Sequence, residues 1–515
     1  MTSLDLSGCT ALASLDVASS MPQNGLTSLD VSGCTSLMSL DCSSCHSLTS
    51  LNVNGCTALA SLNCMGSGLS SLDVSGCAAL MSLKCHQNRL TSLVVSQNAA
   101  LKSLTCFENG LELLDLSGCT ALKFLDCRKN SLRSLDLSDC IVLDTLICYD
   151  DSLISLDVSQ NPALKYLYCS DNQLQMLDVS QNMALETLYC GDNQLQTLDV
   201  SRNTALESLG CSRNQLQTLD VSQNTALKSL NCSSNQLQTL DVSQNTALKS
   251  LYCISNQLQT LDVSQNTALE VLACSSNQLV SLDLSMNTSL RSFSGGSSRA
   301  VVLDEFGRLD LSTLMGFEVD RAKDWAGGVL SGNMLEFQQG RVAYAYATNN
   351  PRFDFVVFSL IDNSPVAMPM ISSTGGAHPL IVLNTTTPDA TIFYTTDGSE
   401  PTELSQQCEG ETAIEVNSSS LTIKAISEKE GKKSRVATAT FLFWGLPNET
   451  ALSASTLRVY AQDRTIYLSA PVGEVEVFTT SGRRVYRGVS TAIPVPRPGV
   501  YIVTAAGQRY KVGVK

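Results

Sequence analysis

The chain has 515 residues, of which 43% are hydrophobic and 16% charged, and its formal net charge is −15. That apolar content is enough for buried cores and excludes a disordered chain. An acidic balance repels phosphate backbones and anionic lipid, so nucleic acid is excluded as a partner; no stretch approaches the roughly 18 apolar residues of a membrane span, so direct membrane insertion is not expected.

The first residues, Met1-Thr2-Ser3-Leu4-Asp5-Leu6, already stand inside a repeat and show no signal peptide, which reads as a trimmed or mis-started chain. The repeat has a period of 21: from Asn214 the chain reads NQLQTLDVSQNTALKSLNCSS and then NQLQTLDVSQNTALKSLYCIS. Cys64, Cys85, Cys106, Cys127, Cys148, Cys169, Cys190, Cys211, Cys232, Cys253 and Cys274 follow one another at that spacing, and Cys42 starts the series with one extra residue before Cys64. A second series, half a repeat out of step, runs Cys56, Cys77, Asn98, Cys119, Cys140, Asn161, Asn182 and onward to Asn287.

Each period carries LxxLxCxxNxL, as in Leu185, Leu188, Cys190, Asn193 and Leu195, and LxxLDVSxN, as in Leu174, Leu177, Val179 and Asn182. Side chains alternate along a strand, so Leu188 and Cys190 are expected to face inward, and Thr187, Tyr189 and Gly191 outward. No single coil buries its own apolar face, so the array folds only as a stack, with coils about 4.8 Å apart. About twelve coils would then span roughly 60 Å. The repeated Asn residues are expected to satisfy backbone groups of adjacent coils where the chain turns out of each strand. The half-repeat LDVSQNTA lacks a helical period, so the back of each coil should be extended or a tight turn.

The twelve ladder cysteines take an inward position that Leu or Val would also fill, and read as buried free thiols forming a structural ladder. Cys34, Cys56, Cys77, Cys119 and Cys140 replace turn Asn residues and are expected nearer the surface, with 56–77 or 119–140 as candidate pairs. Zinc is not expected: the cysteines are read as offering no CxxC spacing, and His46, His86 and His378 are the only histidines. No other metal and no cofactor is expected. The Asp column of LDVS (Asp115, Asp136, Asp157, Asp178, Asp199 and onward) reads as turn capping rather than calcium binding, since GGxGxD is absent. Asp150 and Asp151, paired at one coil's exit, are given no functional role.

Three outward columns hold larger side chains. Just before Cys stand Asp126, Ile147, Tyr168, Tyr189 and Tyr252; two residues earlier stand Phe124, Thr145 and Tyr166; just after Cys stand Phe107, Arg128, Tyr149 and Ile254. Exposed aromatics grouped on one face mark a protein or glycan contact, so Phe107, Phe124, Tyr149, Tyr166, Tyr168, Tyr189 and Tyr252 form the candidate binding face. The alternative is that they only pack over the sheet and add β propensity.

The repeat resembles the leucine-rich repeats of the internalin J type, over about residues 1–293, without that family's α-helical N-terminal cap. The expected fold class is mainly β: a leucine-rich-repeat solenoid with a parallel sheet, over 1–295, followed by β-sandwich-type modules. Residues 296–371, beginning with the linker-like Gly296-Ser297-Ser298, read as a β-rich cap, and LDLSTLMGFEVDRAKDWAGGVLSGNMLEF resembles the segment that follows such repeats. In 372–446, TIFYTTDGSEPT resembles the chitobiase C-terminal type of immunoglobulin-like β-sandwich, with Asp397-Gly398 as a hairpin signal.

Residues 447–515 resemble the C-terminal sorting domains of type IX secretion, carried by Gly482, Gly499, Val500, Tyr501, Ile502, Val503, Gly507, Lys511 and Lys515. That resemblance implies a Bacteroidota (Porphyromonas-like) surface protein that engages the type IX machinery, is exported across both membranes, loses this domain and is attached to surface lipopolysaccharide. Catalytic motifs such as GxSxG and HExxH are absent and His is scarce, so the chain is not read as an enzyme. The function expected is that of a monomeric adhesin binding a host, bacterial or biofilm-matrix protein on its sheet face, with carbohydrate capture, or less readily a glycan-degrading role, as alternatives.

Overall fold

The computed structural model describes residues 2–18, 25–304, 306–374, 380–409, 411–415 and 420–442, together with strand segments between 459 and 514. Its dominant element is a parallel sheet of 14 three-residue strands running from Ser14–Asp16 to Ser292–Ser294. Equivalent residues pair: Tyr166 with Thr187, Leu167 with Leu188, Tyr168 with Tyr189, and so on along the stack. The middle residue of each strand points inward, as in Leu167, Leu188 and Leu230, all fully buried. This follows from the period-2 alternation of a strand combined with a 21-residue return path that brings the same residue back to the same place.

The stack is longer than the cysteine count suggests. Val17 takes the ladder position after the first strand and Gly295 after the last, so coils without a ladder cysteine stand at both ends. Fourteen strands at about 4.8 Å spacing span roughly 65 Å.

The back of the solenoid is extended or turned, as its sequence predicts. Ser3–Asp5, Ser28–Asp30 and Ser50–Asn52 form a small parallel sheet, and Ser92–Val94 pairs with Leu113–Asp115. Among the described residues the only helices are two 3-10 turns, Leu311–Thr313 and Val319–Arg321, both beyond the repeats. Along the back, each Asp of LDVS accepts the backbone N–H of the Ser two residues on, at 2.9 Å for Asp199–Ser201 and 2.8 Å for Asp178–Ser180. The column caps turns, and these bonds hold the Asp178 carboxyl below its ordinary range.

Two asparagine ladders brace the coils. In one, Asn193 Nδ2 donates to Cys169 O and Cys190 O, while its Oδ1 accepts the N–H of Leu174. In the other, Asn224 Nδ2 donates to Val200 O at 2.9 Å and Asn203 O at 2.8 Å. Beyond the last coil, Asn350 Nδ2 donates to Leu284 O and Asn287 O, both at 3.0 Å, so a residue of the following module continues the second ladder.

That module is a four-stranded sheet, ordered Ser297–Val301, Phe355–Asp362, Arg341–Ala347, Ala322–Ala326, with a smaller three-stranded sheet beside it. Phe317, Trp325, Tyr344, Tyr346 and Phe358 pack together in it, and the Tyr344 hydroxyl donates to Val280 O of the solenoid at 2.8 Å. Next come two further sheets, one of Met370–Ser373, Leu380–Asn384 and Thr412–Glu415, the other built on Thr391–Thr395 and Ser420–Lys429. In the last region Gly499–Ala505 pairs with Gln508–Val514, bringing Ile502 opposite Lys511, and Tyr501 is buried in a separate small core. Gly482, Gly507 and Lys515 lie outside the described residues.

The buried residues correct two expectations. Cys34, Cys56, Cys77, Cys119 and Cys140 lie fully inside rather than near the surface, and neither 56–77 nor 119–140 is paired: all are free thiols. They stand at second-ladder positions, and Cys56 Sγ donates to Val31 O at 3.1 Å as an Asn amide would. The Oδ1 atoms of the Asn residues in that ladder, from Asn98 to Asn287, are buried with no hydrogen-bond partner. A thiol therefore keeps one weak donor bond and brings no orphan acceptor. In addition Gly191, expected to face outward, is buried; a Cβ there would stand 3.0 Å from Ser212 O.

Candidate functional site: an aromatic groove on the sheet face

Five coils near the middle of the sheet carry the large outward side chains. Phe107 stacks on His86 with ring centroids 4.2 Å apart. The Arg128 guanidinium lies 4.3 Å from the Phe107 ring centroid and 5.4 Å from that of Tyr149. The order His86, Phe107, Arg128, Tyr149 is the column just after the ladder cysteines, read down successive coils. Parallel stacking in register lays these side chains over one another, the geometry in which cation–π attraction operates.

Beside them Arg128, Thr145, Ile147, Tyr149, Tyr166 and Tyr168 line a groove of about 460 Å³. Its aromatic walls are pinned by polar bonds: the Tyr166 hydroxyl donates to Glu186 Oε2 at 2.9 Å, and Lys165 pairs with the same carboxylate at 2.9 Å. Tyr168 leans on Tyr189 with centroids 5.4 Å apart, and the Tyr189 hydroxyl shares a 2.8 Å bond with Ser208.

Of the candidate face, Phe107, Tyr149, Tyr166, Tyr168 and Tyr189 thus form one continuous surface about Arg128. Phe124 is half-buried opposite Thr145 and does not line the groove. Tyr252 stands three coils beyond Tyr189, across a separate polar depression that both tyrosines border. The column already sets Arg128 between Phe107 and Tyr149; what it does not show is that the guanidinium lies over those rings while also covering Asp126.

Two acids close to this surface are less visible in the sequence. Asp126 stands in an outward column yet is 4% exposed, covered by Arg128, whose Nη1 lies 3.4 Å from Oδ2. Burial pushes its carboxyl up to about 6, against the pull of Arg128. Asp151 takes a place in the first asparagine ladder, between Asn130 and Asn172. Burial pushes it up to about 7, although N–H groups of Leu132 and Asn130 bond to it.

The ladder thiols are inert. Burial raises all twelve, Cys169 and Cys274 to about 12, which leaves no thiolate to attack or to bind metal. Cys42 and Cys45 are spaced as a Cys-x-x-Cys pair, against the expectation of no zinc-like spacing, but both are buried and Cys45 Sγ donates to Val17 O at 3.3 Å. No group of three or more metal-ligating side chains occurs among the described residues.

Stacked 21-residue coils with inward leucines and a parallel sheet define a leucine-rich-repeat solenoid, here followed by β-sheet modules. Among solved structures it is similar to the functional domain of InlJ from Listeria monocytogenes, described as including a cysteine ladder, at 27% identity and a TM-score of 0.53, over 69% of this chain and 91% of that one. A leucine-rich-repeat protein of Leptospira interrogans matches at 23% identity and a TM-score of 0.46, over 58% of this chain and 89% of that one. The internalin InlF of Listeria monocytogenes matches at 20% and 0.47, over 57% and 86%. Residues 374–440 match the family model of the chitobiase/beta-hexosaminidase C-terminal domain. No curated protein sequence matches the chain. No helix among the described residues is long and apolar enough to cross a membrane.

Proposed function

We propose that the protein is a non-enzymatic, surface-attached adhesin that binds a host, bacterial or biofilm-matrix protein through the aromatic groove of its solenoid. One observation carries this reading. Aromatic side chains and an arginine are gathered on the outer face of the sheet at Phe107, Arg128, Tyr149, Tyr166 and Tyr168, where most other coils carry Ser, Asn or Gly. Such residues dominate the energetics of protein interfaces, and a rigid sheet presents them at little entropic cost. Export through the type IX machinery and attachment to surface lipopolysaccharide rest on the resemblance of residues 447–515, carried by Gly499, Tyr501, Gly507, Lys511 and Lys515.

The test is capture from host and bacterial surface extracts by the full chain, compared with Tyr166→Ala/Tyr168→Ala. Loss of two central aromatic anchors should weaken capture at least about tenfold. Undiminished capture by the double variant would exclude the groove as the contact. A second reading, carbohydrate capture, draws on the match of residues 374–440 to a domain named for glycosidases. Binding to a glycan array lost in the same double variant would favour it.

A further inference from the structure

The first asparagine ladder has one acidic member, Asp151, two residues beyond Tyr149, which lines the groove. At Asn130 and Asn172 the side-chain Nδ2 donates to the carbonyls 24 and 3 residues earlier: Cys106 and Cys127 for Asn130, Cys148 and Cys169 for Asn172. By that register the corresponding carbonyls for Asp151 are those of Cys127 and Cys148. Asp151 departs from the ladder amides, whose Oδ1 accepts the Leu N–H 19 residues earlier: its Oδ1 takes the N–H of Asn130, 21 residues earlier, at 3.0 Å, and the Leu132 N–H also bonds to the carboxyl. Its Oδ2 is sealed from solvent with no hydrogen-bond partner. A neutral carboxyl has one O–H to offer a neighbouring carbonyl, as the ladder amides offer their N–H; a carboxylate has none and keeps a negative oxygen sealed in without a donor.

The surroundings favour the neutral form at mildly acidic pH. The charged groups that act on Asp151 are Asp150 on its own turn and Asp126 on the preceding coil, both of which oppose its ionisation. The titratable groups facing it from the core are the thiols of Cys106, Cys127 and Cys148, all held neutral by burial. Arg128 spends its charge on Asp126 and on the rings above. Asp150, immediately before Asp151, has a left-handed φ of 57°, and Tyr149, immediately before that, forms a wall of the groove.

We propose that the aromatic groove is gated by the protonation of Asp151: the neutral acid completes the ladder and fixes the turn that carries Tyr149, and ionisation loosens that turn, so that the groove engages its partner at mildly acidic pH and releases it above neutrality. This rests on the groove being the binding surface. Burial pushes the Asp151 carboxyl up to about 7, which places the change close to neutrality.

The experiment is hydrogen exchange on the full chain at pH 5.5 and pH 8, corrected for the intrinsic rate. Amides of 128–153 are compared with those of 212–237, where the ladder residues are Asn214 and Asn235. The expected result is an at least tenfold fall in the protection ratio at pH 8 for the native chain, and no fall for Asp151→Asn. A flat ratio in the native chain, or an equal fall in Asp151→Asn, would overturn the gate. Partner captured at pH 5.5 should elute at pH 8 from the native chain and stay on Asp151→Asn; elution from both overturns the role of Asp151. These outcomes are separate from the docking reading itself, which stands or falls on capture by Tyr166→Ala/Tyr168→Ala.

Discussion

The coils from Asn214 to Cys274 and those from Phe107 to Tyr189 share one interior and differ on the outside. Inside, Leu230 and Cys232 of the first group are as fully buried as Leu167 and Cys169 of the second. Outside, the first group presents small residues such as Ser229, Asn231 and Ser250, with Tyr252 as its one tyrosine, and the second presents Phe124, Tyr166 and Tyr168. The inward positions are fixed by the neighbour they stack on, since a close-packed interior tolerates little change of volume. Outward positions carry no such constraint, so side chains there are free to serve recognition. The uniform coils show what the stack requires; the varied coils show what has been added to it.

The largest expected effect comes from the uniform group. Asn224→Ala leaves Val200 O and Asn203 O without the donor that now bonds them at 2.9 and 2.8 Å. Each carbonyl keeps one backbone N–H, from Asn203 at 3.0 Å and Leu206 at 3.1 Å, so the loss is that of two buried hydrogen bonds, about 2–3 kcal/mol in urea denaturation. Asn224→Cys should cost only about 1 kcal/mol, because a thiol retains one weak donor, as Cys119 does toward Val95 O at 3.4 Å. Equal losses for the two variants would break the claim that thiol and amide are interchangeable at this position.

Asp151 sharpens the comparison from the varied side. Its folded-state carboxyl is raised to about 7 by burial, while an unfolded aspartate titrates near 3.9. The folded state therefore binds the extra proton between about pH 4 and 7, and stability is highest below this window and falls as pH rises through it. Since the carboxyl is partly open to solvent, a discounted loss of about 2 kcal/mol is expected. Asp151→Asn should recover that amount at pH 8 and change little at pH 4, read from unfolding midpoints at the two pH values. A gain of the same size at both pH values would mean the effect has nothing to do with the proton.

The period of the repeat, the inward Leu and Cys and the extended back are legible in the sequence because each is a consequence of alternation and return length, which spacing displays directly. The coil count and the turn cysteines are less so. Val17 and Gly295 break the cysteine ladder at its ends while the strands continue, so counting thiols misses coils. Cys56 and Cys77 look like surface substitutions only if Asn is assumed to be exposed; both ladders bury their Asn side chains to bond backbone carbonyls, so a residue in that place is buried too. At the groove the aromatic columns are legible, Arg128 between Phe107 and Tyr149 included; the turn of its guanidinium over both rings and onto Asp126 is not, because it depends on side-chain direction rather than on spacing. Asp126 and Asp151 escape notice for a related reason: an outward or turn position does not reveal that a neighbouring coil's side chain covers it.

The smallest expected effect lies at the border of the two groups. Gly210 follows Tyr189 in the column just before the ladder cysteines, and the Tyr189 ring lies over it; a Cβ at Gly210 would come within 2.5 Å of Tyr189 Cδ1. The strand itself is indifferent to the change, since Gly210 has ordinary extended backbone and pairs in register with Tyr189 and Asn231. Gly210→Ala therefore has to be accommodated by the ring, which swings off its neighbour and gives up its bond to Ser208 and its contact with Tyr168. Losing one exposed hydrogen bond and one tilted ring pair should cost about 1 kcal/mol of stability or less. If the tyrosines act together as a docking surface, capture should weaken several-fold while the unfolding midpoint barely moves. An unchanged capture would show that recognition ends at Tyr168 and that Tyr189 belongs with the uniform coils.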